Sequence, residues 1–122
     1  MKLLLVFIGG GLGSVFRYYL SITFYTLGSS GFPWPTFIVN IAGSLLLGFL
    51  ITFNEKEPSL NQDLILLASA GFCGGFTTFS TFSYENYFLL KQGDFLMASA
   101  YIAASLIGGI LAASTAYLLT KP

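Results

Sequence analysis

The chain has very little charge. Only 8% of its 122 residues are Asp, Glu, Lys or Arg, against about 25% in an ordinary soluble domain. So few charges cannot cover a water-facing surface, which excludes a soluble globular fold. Disorder is excluded as well, because it needs low hydrophobicity and high charge. Five basic residues balance five acidic ones, so there is no positive field for nucleic acid. Histidine is absent, which removes the commonest metal ligand and the usual general base. The one cysteine, Cys73, can form neither an internal disulfide nor a cysteine metal cluster. No span holds paired carboxylates and no nucleophile has a base partner, so an enzyme is not expected.

What the chain has is apolar surface. Hydrophobic residues make up 55%, aromatics 17%, and the mean hydropathy is +0.80. This is the composition of an integral membrane protein. A spanning helix needs about 20 mostly apolar residues, and four stretches qualify: 3–27, 35–53, 64–90 and 95–120. The expectation is an all-α, multi-pass protein with one four-helix transmembrane domain over residues 1–122, joined by connections at 28–34, 54–63 and 91–94. The first stretch reads as a retained span and not a signal peptide, because it is long, carries Arg17 late and precedes no Ala-x-Ala site. There is no internal repeat, so any inverted symmetry must come from a second copy of the chain. Lys2, Lys56 and Lys121 would share one side, against Lys91 and, if it snorkels outward, Arg17. So small a bias under the positive-inside rule permits insertion both ways and hence antiparallel pairing.

The third stretch is the unusual one. Residues 71–83 read Gly-Phe-Cys-Gly-Gly-Phe-Thr-Thr-Phe-Ser-Thr-Phe-Ser. Each Gly weakens a helix by about 1 kcal/mol relative to Ala. As one helix the stretch would span about 40 Å, against a hydrocarbon core of about 30 Å. A local unwinding near residues 74–77 absorbs the excess. Freed backbone groups cannot face lipid, so they must line a cavity or be buried in protein. Channels and transporters use such breaks to bind ions on carbonyls and helix ends.

Beyond the break, Thr77, Thr78, Ser80, Thr81 and Ser83 alternate with Phe76, Phe79 and Phe82. Hydroxyls can replace part of an ion's hydration, and a phenyl ring is positive at its edge. Phe79 and Phe82, one turn apart among hydroxyls, therefore suit an anion without carrying charge. Asn40 offers neutral N–H donors inside the second span, and bonding to another helix is the competing reading. Arg17 has two readings, snorkelling to the interface and a place at a pore mouth; Glu85, near the end of its span, has the same pair. Tyr101 and Ser105 lie one turn apart on the fourth span. Small residues spaced by four (Gly9 and Gly13, Ser44 and Gly48, Gly71 and Gly75, Ser105 and Gly109) let helix backbones approach closely.

These residues carry a resemblance. Gly-Gly-Gly-Leu-Gly-Ser-Val-Phe-Arg-Tyr (9–18), Thr-Phe-Ile-Val-Asn-Ile-Ala-Gly-Ser (36–44) and Gly-Phe-Cys-Gly-Gly-Phe-Thr-Thr-Phe-Ser-Thr-Phe (71–82) resemble the Fluc (CrcB) family of bacterial fluoride channels. The third motif is the specific one. The resemblance implies an antiparallel, dual-topology homodimer in the bacterial inner membrane with two pores. It implies passive, fluoride-selective export that protects the cell from fluoride, with no other protein partner. Phe79 and Phe82 then line the pore, with Asn40 as its polar donor. Ser80, Thr81, Tyr101 and Ser105 follow along the path, and Arg17, Thr36 and Glu85 stand at its mouth or vestibule. Backbone carbonyls of Gly74 and Thr77 from both subunits would hold a structural sodium ion. Position 109 is Gly where some relatives carry Ser, which removes one hydroxyl from the implied track.

The runner-up is a small proton-coupled multidrug exporter, also four-spanned and antiparallel. It needs a carboxylate in the first span, where this chain has Arg17 and no acid. A non-transporting scaffold subunit is a third reading, and it leaves the mid-membrane break without a purpose.

Overall fold

The computed structural model describes residues 1–25 and 31–120; the expected end of the first span at Leu27, residues 28–30 of the first connection and Lys121 lie outside them. Every regular element among the described residues is helical: α1 (Lys2–Thr23), α2 (Trp34–Lys56), α3 (62–76), α4 (Phe79–Lys91) and α5 (Phe95–Thr120). α3 and α4 together form one interrupted crossing, so four segments are long and apolar enough to cross a membrane.

Local chemistry sets the ends. α2 begins behind Pro33 and carries Pro35 in its first turn, where a missing N–H costs nothing. It continues past Phe53 to Lys56, so half of the charged second connection is helical. Asn61 caps α3, its Oδ1 accepting from the N–H groups of Asp63 (2.9 Å) and Leu64 (3.3 Å). α4 ends on Gly93 with φ 81°, a left-handed position that glycine adopts freely. There the Gly93 N–H returns to the Leu90 carbonyl and the Asp94 N–H to Leu89, both at 3.0 Å. Asp94 then caps α5 by accepting from the Met97 N–H at 3.1 Å. One three-residue turn thus closes one helix and opens the next.

Packing divides the helices into two pairs, α1 on α3 and α2 on α5, with α4 leaning on α2 and α5. Lipid offers no hydrophobic drive to helix pairing, so small residues at the contacts decide it. A Cβ on Gly9 would come within 2.9 Å of the Phe72 nitrogen, and one on Gly13 within 2.8 Å of the Phe76 nitrogen. One on Gly48 would press on the backbone of Ala113. Three of the four small-residue pairs therefore serve helix contacts within the chain. α3 is itself irregular, with seven residues, Leu67–Cys73, wound as a π-helix, a widening found at functional sites in many proteins.

Little of the chain is buried. Val39, Cys73, Phe76, Leu89, Ala98, Tyr101 and Ala116 form the apolar interior, and the exposed surface is 7826 Å². A compact monomer of this mass exposes about 6,400 Å². A groove lined by residues of both helix pairs is part of that exposed surface.

Candidate functional site

The groove encloses a cavity of about 600 Å³ lined by α2, the end of α3, the start of α4 and the middle of α5. At its centre the backbone leaves the helix at Thr77 (φ −80°, ψ 158°) and Thr78 (φ −151°, ψ 117°). The Gly74–Gly75 pair, expected to unwind, is helical. Gly75 serves close approach instead, because a Cβ there would meet the Gly10 backbone. What opens the chain is capture by a neighbouring helix. The Thr78 N–H donates to Asn40 Oδ1 at 2.8 Å, and Asn40 Nδ2 donates back to the Thr78 carbonyl at 3.1 Å. One amide thus replaces both backbone partners that a continuous helix would have supplied.

The second half-helix then starts afresh. Thr78 is its N-cap, with Oγ1 accepting from the Thr81 N–H at 3.2 Å. The hydroxyls of Ser80 and Thr81 both lie 3.2 Å from the same Oγ1. The Thr77 hydroxyl turns the other way, onto the Cys73 carbonyl at 2.9 Å. These exchanges release carbonyls. The α-helical donor for Gly74 would be the Thr78 N–H, now on Asn40. The donor for Thr77 would be the Thr81 N–H, now on Thr78 Oγ1. Gly74 also has open space where a side chain would stand.

Phe79 and Phe82 both line the cavity. Their rings sit 5.8 Å apart, tilted by 37°. Phe79 is 77% exposed in the single chain, whereas Phe82 is fixed edge-on against Tyr101 at 5.0 Å. Ser105 also lines the cavity, and its buried hydroxyl has no partner among the described residues. A Cβ on Gly109 would stand 3.9 Å from Ser44 Oγ, so the neighbouring α2 puts a hydroxyl beside Gly109 on the same wall.

Two residues weighed separately in the sequence, Thr36 and Tyr101, converge on the Glu85 carboxyl group. Thr36 Oγ1 donates to Glu85 Oε1 at 2.7 Å, and Tyr101 OH donates to Oε2 at 2.8 Å. Thr36 and Tyr101 are buried, at 5% and 0% exposure, so the cluster ties α2, α4 and α5 together beneath the Phe82 ring. Tyr101 therefore pairs with Glu85, not with Ser105. Nothing in local spacing shows this, because the partners lie 49 and 16 residues apart. Arg17 points at the break: its Nε donates to the Gly75 carbonyl at 3.1 Å. Cys73 is free and buried.

Residues 4–117 match the family model described as CrcB-like protein, Camphor Resistance (CrcB). The chain belongs to the CrcB family. Among relatives within reach of that assignment, a protein of Phocaeicola vulgatus named fluoride-specific ion channel FluC is 50% identical over 110 residues, covering 90% of both chains. One of Leptospira interrogans with the same name is 43% identical over 109 residues, 89% of this chain and 86% of its own. One of Chlorobium luteolum, again so named, is 42% identical over 122 residues, all of this chain and 94% of the relative. The CrcB match spans all four crossings, including both sides of the break. Sequence reasoning singled out Asn40 but not the Thr78 backbone it holds; a polar amide facing a predicted break was the available signal. It passed over Ser44 as a small packing residue.

Proposed function

We propose that this CrcB chain is a passive fluoride-selective channel, multi-pass in the bacterial inner membrane, through which fluoride leaves the cytoplasm. Its purpose follows from acid chemistry: hydrogen fluoride enters cells neutral and ionises inside, so an exit for the anion relieves the load. One observation carries the reading. A helix broken in mid-membrane brings Phe79, Phe82 and Asn40 to one cavity, in a chain whose relatives are named fluoride-specific channels. Fluoride is small and tightly hydrated, so a pore must replace many hydrogen bonds at once. Fixed positive charge along the path would hold the ion too firmly to conduct. The second N–H of Asn40 Nδ2, the unpartnered Ser105 hydroxyl and the positive ring edges supply neutral donors instead. Thr36, Glu85 and Tyr101 continue the path beyond Phe82, and Ser80 and Thr81 lie at its bend. The exporter alternative is not favoured, since the first span holds no carboxylate.

The same groove supports an antiparallel homodimer. An open apolar wall in the middle of the bilayer needs a cover, and the near-balanced charge of the two ends permits a second copy to insert inverted. Gly74 and Thr77, whose carbonyls are released, line this groove. Neutral oxygens without donors suit a hard monovalent cation such as sodium. Two carbonyls from each of two chains would hold it, and the ion would supply the positive charge that ties them.

Efflux of fluoride and chloride from liposomes holding the purified chain tests the proposal. Rapid fluoride release with no chloride release is expected. Equal release of both anions, or none of either, overturns it.

A further inference from the structure

We infer that Arg17 is a positioning residue that closes the end of the first half-helix and so holds the break open in its working shape. The inference rests on the channel reading above, because it concerns how the pathway at the break is maintained.

Four carbonyls on the first half-helix and in the break, those of Gly74, Gly75, Phe76 and Thr77, would in a continuous helix be paired with N–H groups at or beyond the break. Gly74 and Thr77 lose their donors to Asn40 and to the Thr78 hydroxyl. Gly75 alone is supplied again from outside its own crossing. Arg17 Nε donates to it at 3.1 Å and Ser14 Oγ at 3.3 Å. Both donors stand on α1, one turn apart. A guanidinium at a helix C-terminus gains from the negative end of the dipole and makes a charge-assisted bond, about twice as strong as a neutral one. α1 is also locked in register there. Gly75 rests on Gly10, and the Phe16 ring stacks on Phe76 with centroids 5.7 Å apart and lies tilted against Phe72 at 6.2 Å. The break is thus clamped from two sides, by α1 at Gly75 and by α2 at Thr78. With Gly75 occupied, the proposed cation ligands Gly74 and Thr77 keep oxygens that have no helix donor. Without Arg17, the Gly75 carbonyl is short of donors in a setting where that costs free energy, and the extended pair gains freedom to rewind or fray.

Hydrogen exchange decides the matter. The N–H groups of Thr77 and Thr78 are held on the Cys73 carbonyl at 2.9 Å and on Asn40 Oδ1 at 2.8 Å, so they report the integrity of the break. In lipid nanodiscs, Arg17→Met is expected to speed their exchange about tenfold, and Ser14→Ala about threefold. Arg17→Lys, which keeps a charged donor, should return exchange close to the parent rate. Ser14→Ala carries the same test if Arg17→Met does not assemble. Unchanged exchange in Arg17→Met or Ser14→Ala overturns the inference, even where fluoride flux falls, since lost flux alone would reflect charge at a pore mouth. A sodium titration of chain pairing in detergent gives a second reading with a definite sign. A cap predicts that Arg17→Met needs more sodium to stay paired. A charge that merely repels the cation predicts that it needs less, which also overturns the inference. A parent chain indifferent to sodium would overturn the cation proposal, and the exchange result would still decide the cap.

Discussion

Single side chains do most of the directing here, and Asn40 does the most. It accepts from and donates to the same residue across a helix boundary. Asn40→Asp keeps the acceptor, loses the donor and places a carboxylate on the proposed anion path. The expected outcome is fluoride efflux at the background of empty vesicles, measured with a fluoride electrode, in a chain that still assembles. Tyr101 has a different kind of importance. It is fully buried and donates to Glu85. Tyr101→Phe leaves that carboxyl group with Thr36 as its remaining partner, at a cost of about 1–3 kcal/mol. A lowered melting temperature in detergent would show it. The residues that stood out in the sequence were those whose type is unusual for a membrane interior, such as Asn40, Arg17 and Glu85. What the sequence left open was their partners, because partners across helices leave no mark in local spacing.

At the scale of the element, the broken crossing shows what a sequence can and cannot announce. Its length and its glycine pair pointed to an interruption, and the interruption is there. The glycines were read as the weak point, yet they are helical and serve contact with α1. The chain opens two residues later, where Asn40 competes for the backbone and Thr78 supplies a new N-cap. Propensity locates the neighbourhood, and tertiary capture picks the residue. Thr78→Val keeps the β-branched shape and removes the cap, at a cost of about 1 kcal/mol. Faster hydrogen exchange at the start of α4, with α2 and α5 unchanged, is the expected sign. Gly13→Ala tests the α1 contact. The added methyl meets backbone, which cannot rotate away, so a loss of about 1–3 kcal/mol is expected in thermal unfolding.

The whole molecule is a thin bundle with an uncovered wall, and the proposed pathway runs along that wall. The four crossings were legible from hydropathy alone, because apolar length is a strong constraint. The pairing of α1 with α3 and of α2 with α5 was not, since small-residue spacing marks a close contact without naming the partner. A bulky residue in the groove separates folding from pairing. Gly109 has nothing closer to a new Cβ than Ser44 Oγ at 3.9 Å, so Gly109→Trp is expected to leave the single chain folded and to block a second copy. Size-exclusion with light scattering should then report a monomer, and vesicles should lose fluoride efflux. The central claim is that the two rings beyond the break present their edges to a passing fluoride ion. Its most direct test is fluoride efflux from vesicles carrying Phe79→Ile or Phe82→Ile, each checked for intact assembly. The account predicts that both variants, though assembled, release no more fluoride than empty vesicles. Efflux at the parent rate from both would contradict it.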